Sequence, residues 1–143
     1  RLEEFGAALR KRSANNLARQ SDPRAMDDRA AAFDGDPDTF WSAPPGSHHA
    51  TLELTFAHPV TFDHALTMEW LNDGQHIQKY ALEVWKESER KWETVAQGQA
   101  IGHKKIDTFP PVTAGRVRLN IVSSTEEAHI REFQLYDWSK LGL

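Results

Sequence analysis

The chain has 143 residues, 39% of them hydrophobic, no Cys, and a formal net charge of −4 from 17 basic and 21 acidic side chains. That length supports one domain with a core of its own, and a chain without Cys has no disulfide, thiolate metal site or Cys nucleophile. The acidic balance lacks the basic surface that nucleic acid requires, and no apolar run approaches the roughly 20 residues of a membrane helix, so neither nucleic-acid binding nor membrane insertion is expected.

Residues 1–17 set Leu2, Phe5, Leu9 and Leu17 among charges at near-helical spacing, which predicts a short N-terminal helix. The chain opens on Arg1 with no export signal, which reads as a piece of a longer protein. Residues 18–26 are polar and include Pro23, and 25–32 are rich in Ala and Asp with room for one helical turn. Residues 1–20 are therefore read as a helical remnant and linker, and 21–143 as the main domain.

From Thr51 the period becomes two. Leu52, Leu54 and Phe56 alternate with Thr51, Glu53 and Thr55, and a second strand is expected at Leu66, Met68 and Trp70. Tyr80, Leu82 and Val84 alternate with Ala81, Glu83 and Trp85, and Lys91 to Val95 follows a polar turn over 87–90, a hairpin pattern. The pair Pro110 and Pro111 is expected to end a strand. Val117, Leu119 and Ile121 then alternate with Arg116, Arg118 and Asn120, and Ile130 to Tyr136 forms the last strand. At least six strands separated by turns predict an all-β antiparallel sandwich or barrel.

The most specific local cluster is Asp34-Gly35-Asp36-Pro37-Asp38-Thr39-Phe40-Trp41. Carboxylates at alternate positions beside a Gly and a Pro put hard oxygens on a tightly turning backbone, which suits calcium, with Glu132 as the distant carboxylate that completes a shell. The same residues also suit Asx-turns and caps with no metal. The glutamate that closes the twelve-residue calcium loop of helix-loop-helix proteins is missing, so any ion here is structural.

The run Ala31-Ala-Phe-Asp34-Gly35-Asp-Pro-Asp-Thr39-Phe-Trp41, with Glu132 in the last strand, resembles the discoidin or coagulation factor 5/8 type C family. The resemblance implies an antiparallel jelly-roll β-sandwich of the galactose-binding-like kind. It implies calcium held by Asp34, Thr39 and Glu132 with backbone carbonyls, Ala31, Asp36 and Arg131 belonging to the same set. Gly74-Gln75, Tyr80 to Trp85, Trp92, Ile101 to Ile106, Phe109 to Ala114 and Val117-Arg-Leu119 are similar to the C-terminal module of bacterial α-L-fucosidases of glycoside hydrolase family 29. Arg1-Leu-Glu-Glu-Phe-Gly6 looks like the helix where those enzymes leave their catalytic barrel.

In that family the nucleophile and the acid/base carboxylate lie in the barrel, so no residue here inherits a catalytic role. The expected protein is a non-catalytic, monomeric accessory domain, periplasmic or secreted by resemblance. Its partner is a fucosylated or galactosylated glycan, or the parent catalytic domain if its role is purely structural.

A sugar site needs an aromatic ring against the pyranose and a few placed polar groups for its hydroxyls. Trp41, Trp85 and Trp92 read as core aromatics, and Trp138 as a cap on the last strand. Trp70 runs into the polar loop Leu71-Asn72-Asp73-Gly74-Gln75-His76, so Glu69, Trp70, Asn72, His76, His103 and Lys104 are the candidate carbohydrate-binding residues. The loop after Trp41, Ser42-Ala43-Pro44-Pro45, has no immediate His or aromatic, although His48 and His49 follow; they read as loop polarity.

Overall fold

The strands arise where apolar and polar residues alternate, so that one face can be buried. A computed structural model describes residues 16–20, 31–72 and 74–138. Its strands are β1 (Trp41–Ser42), β2 (Ala50–Glu69), β3 (Ile77–Lys86), β4 (Lys91–Gly98), β5 (Lys105–Ser124) and β6 (His129–Tyr136). All six join one antiparallel sheet in the order β1-β6-β2-β5-β3-β4.

The two central strands, β2 and β5, are each 20 residues long, and irregular pairing lets them bend. Between Thr55↔Arg116 and Val60↔Ala114, residues 56–59 of β2 face Gly115 alone. Between Phe62↔Val112 and His64↔Thr108, residues 109–111 of β5 face Asp63 alone. Pro59, Pro110 and Pro111 all fall in these unpaired stretches, where a missing N–H costs no ladder bond. The prolines thus bend β5 within its length rather than ending it, and the stretches expected as separate strands at Thr51 and Leu66 are halves of one β2. Trp70 lies just beyond its end.

This bending folds the sheet over itself. Val84 of β3 and Phe133 of β6 have no exposed surface, and both belong to one cluster with Trp41, Leu52, Leu54, Phe62, Leu119 and Ile121. With no α-helix to cover that face among the described residues, the two wings of the sheet must cover each other, as a sandwich requires.

The helix expected over 1–17 lies outside the described residues except for its last two positions. Before β1, a 3-10 helix spans Leu17–Gln20. It packs on the sandwich: Ala18 is fully buried, and Asn16 Nδ2 donates to Phe133 O at 3.1 Å while its Oδ1 accepts from Leu135 N at 2.8 Å.

Trp41 is buried in the core as the sequence suggests. Trp85 and Trp92 are not. They lie partly exposed on the outer face of β3 and β4, edge to face at 5.4 Å, because the register puts them on the side opposite Leu82 and Val84. The Arg118 guanidinium sits 4.1 Å from the Trp92 ring centre and that of Arg116 4.9 Å from Trp85, and these arginines pair with Glu83 and Glu53. Trp138 follows β6, its ring stacked on His64 at 3.6 Å and its backbone N–H donating to Asp63 at 3.0 Å.

Candidate functional site

Two features stand out in the sandwich: an oxygen-rich loop at Asp34 and a depression where four loops converge.

In the first, the aspartates turn the chain by bonding backbone amides two residues on: Asp34 Oδ1 accepts from Asp36 N, and Asp36 Oδ1 from Asp38 N, each at 2.9 Å. Such turns orient Asp34 Oδ2 and the Ala31 and Asp36 carbonyls around one point. All three lie within 3.4 Å of the Thr39 hydroxyl oxygen. The Arg131 guanidinium holds the loop in place by donating to Pro37 O at 2.6 Å. A bulge in β6 at Arg131, between Met68↔Glu132 and Glu69↔Ile130, aims Glu132 at the loop. Fully buried, its carboxylate accepts from Gly35 N, and burial together with the charge of Asp34 pushes it up to about 9.

The Asp34 carboxylate, the Thr39 hydroxyl and the Ala31 and Asp36 carbonyls converge, with the Glu132 carboxylate alongside at Gly35, so every donor on offer is an oxygen. Such a set fits calcium rather than a softer ion, and the mutual repulsion of Asp34 and Glu132 is what a divalent cation would relieve. No group of three or more His, Cys, Asp or Glu suited to a metal occurs among the described residues, so the carbonyls and Thr39 would have to contribute.

The second feature lies where the loops before β2, after β2, between β4 and β5, and between β5 and β6 meet. Glu69, at the end of β2, ties two of these loops together, the one after β2 and the one between β4 and β5. Buried at 2% exposure, its carboxylate accepts from His76 N at 2.7 Å, Ile77 N at 3.2 Å and Gly102 N at 3.3 Å. His48 joins through Ser124, its O accepting from Ser124 N at 2.8 Å and its Nδ1 donating to Ser124 O at 2.9 Å. Thr125 N donates to His76 O at 2.9 Å. The resulting depression of about 270 Å³ is lined by Gly46, His48, His76, Glu126, Glu127 and His129. His76 Nε2 is 3.3 Å from Glu126 Oε2, though not aligned for a hydrogen bond.

Beside it stands an aromatic group. Phe40 and Trp70 stack with centres 4.5 Å apart, Phe40 meets the His129 ring at 5.0 Å, and the Arg131 guanidinium lies 5.6 Å from Trp70. Because Arg131 also bonds Pro37 and Phe40 follows Thr39, this group connects the oxygen-rich loop with the depression.

Of the residues predicted to meet a sugar, His76 lines the depression and Trp70 belongs to the aromatic group. Glu69 is a buried strut, its oxygens taken by backbone amides. Asn72, His103 and Lys104 are exposed on the adjoining loops, outside the lining. Phe40 closes the Asp34 motif but does not read there as a sugar contact, and no local motif marks Glu126, Glu127 and His129. They are gathered only by the backbone bonds that draw 43–48 and 76 toward 124–129. Of the predicted metal residues, Ala31, Asp34, Asp36, Thr39 and Glu132 cluster, while Arg131 acts through its side chain on Pro37.

Residues 14–133 match the F5/8 type C domain family. The chain is similar to the Alpha-L-fucosidase 1 of Arabidopsis thaliana, 27% identical over an alignment of 124 positions that covers 80% of this chain and 24% of that enzyme. A structure assigned as an α-L-fucosidase from Bacteroides thetaiotaomicron superposes with a TM-score of 0.75 at 25% identity, over 92% of this chain and 31% of that one. The fold is shared with chitosan-binding module 2 of a Paenibacillus sp. IK-5 chitosanase/glucanase, solved with chitotriose (TM-score 0.66, 18% identity, 76% of this chain and 85% of that one). The chain thus spans less than a third of the length of the fucosidases it resembles, and what it matches in them is this module rather than a catalytic domain.

Proposed function

The chain belongs to the F5/8 type C domain family, and on that premise we propose that it is a carbohydrate-binding accessory module that holds an α-L-fucosidase on fucosylated or galactosylated glycans. The observation that carries this reading is the depression lined by His48, His76, His129, Glu126 and Glu127 beside the Phe40–Trp70 stack. Carboxylates and imidazoles suit sugar hydroxyls, and the aromatic group suits the apolar face of a pyranose. A shallow site of this size suits affinities on the order of 0.1 to 1 mM, useful when the module is tethered to a catalyst. An exported location goes with that role.

Calcium is proposed as a structural ion held by Asp34, Thr39, Glu132 and the carbonyls of Ala31 and Asp36. It would neutralise the two facing carboxylates and so fix the loop that positions Phe40. The ion takes no part in contacting sugar.

A second reading has one observation in its favour. The outer face that carries Trp85, Trp92, Arg116 and Arg118 is rich in the residue types that anchor protein interfaces, and it would suit packing against the catalytic domain of the same polypeptide.

A glycan array of the chain, followed by calorimetry on its hits and on His76→Ala, tests the first reading. It predicts neutral fucosylated or galactosylated hits that weaken with the substitution. A silent array from the folded chain would leave the packing role.

A further inference from the structure

Histidines aside, the charges that line the depression are of one sign. The lining carries two carboxylates, Glu126 and Glu127, and neither Lys nor Arg. Arg131, beside the aromatic group, is engaged with the Pro37 carbonyl and the face of Trp70, and Lys104 is exposed on an adjoining loop outside the lining. His48 adds to the imbalance. A carbonyl oxygen only accepts, so Nδ1 of His48 carries the proton shared with Ser124 O, and in the neutral ring Nε2 is left as an acceptor.

A ligand that meets Glu126, Glu127 and Nε2 of His48 must bring donors. Sugar hydroxyls do so. A carboxylate or sulfate group brings only acceptors and a charge of the same sign as Glu126 and Glu127.

We infer that this depression selects uncharged glycans, with Glu126 and Glu127 as the residues that turn away chains bearing sialic acid, uronic acid or sulfate. The inference rests on the carbohydrate-binding reading and adds to it a ligand class. Like charges about 4–6 Å apart at a partly exposed site disfavour an acidic ligand by roughly tenfold at low ionic strength. Salt screens them over about 8–10 Å at physiological concentration, so the discrimination must shrink as salt rises. Shape-based exclusion would not respond to salt in that way.

The experiment is calorimetry of the chain against a neutral fucosylated trisaccharide and its sialylated and sulfated counterparts, at low and at high salt. The readout is the ratio of neutral to acidic affinity. It is expected to be roughly tenfold at low salt, to narrow on adding salt, and to approach one in Glu126→Gln/Glu127→Gln whatever that variant's absolute affinity. If the variant does not fold, the salt dependence of the unmodified chain decides alone. Acidic glycans bound as tightly as neutral ones, or a ratio that ignores salt, would overturn the selection while leaving carbohydrate binding intact. Failure of every glycan to bind would overturn both.

Discussion

Both carboxylate oxygens of Glu132 accept from the backbone N–H of Gly35, 97 residues earlier, at 3.3 and 3.2 Å. This contact closes the last long strand onto the Asp34 loop and places a second carboxylate beside the first. A buried carboxylate beside another is unfavourable while both are ionised, which is why Glu132 is pushed up to about 9.

The pH dependence follows from that direction. Glu132 is raised from an ordinary 4.5 to about 9 in the fold, so its contribution to stability is full below the lower value and is lost as pH rises toward the upper one. Calcium takes the ionised form, so its binding strengthens over the same interval. In chelator the thermal midpoint is expected to fall between pH 5 and 9; excess calcium should reverse the fall, and Glu132→Gln should remove both responses. A midpoint indifferent to calcium at pH 8 would argue against the site.

Glu69 supports the loops, and Glu69→Ala leaves three backbone amides, of His76, Ile77 and Gly102, without their acceptor. The expected loss is on the order of 3 kcal/mol in denaturant unfolding, with glycan affinity falling as the loops separate. A variant that keeps full stability would show that other acceptors or water take its place.

Trp70→Ala removes one half of the stack with Phe40. Glycan affinity is expected to fall roughly tenfold, about 1.4 kcal/mol, whereas Trp85→Ala on the outer sheet face should leave it unchanged. Calorimetry on the two variants distinguishes them. Equal losses would move the sugar to the sheet face or point to a general effect on folding.

Asn16→Ala should cost about 1–3 kcal/mol, because it strips Leu135 N and Phe133 O of their buried partner. Truncation before residue 20 is expected to do the same in thermal unfolding. A neutral outcome would make the 3-10 helix dispensable to the sandwich.

The alternating segments of β2, β3 and β6, and the hairpin at 87–90, were legible because period-two patterning is written locally. The continuity of β2 and β5 was not, since prolines at unpaired bulge positions look like strand ends in sequence. The oxygen-rich loop was visible as a motif, and Glu132 meets it at the backbone amide of Gly35. Trp85 and Trp92 were misplaced because an aromatic on a polar strand face can be covered by arginines from the neighbouring strand, which no local pattern reveals. The depression was half legible. His76 and Trp70 sit in a loop that looks functional, while Glu126, Glu127 and His129 reach it only through the long-range bonds of Ser124 and Thr125.

The most direct test of the central claim is an amide-detected NMR titration of the chain with a neutral fucosylated oligosaccharide. The account predicts shifts concentrated at Gly46, His48, Trp70, His76 and 125–129, saturating in the 0.1 to 1 mM range expected of a tethered module. Shifts confined to Trp85, Trp92 and their neighbouring strands, or none at all from a folded protein, would contradict it.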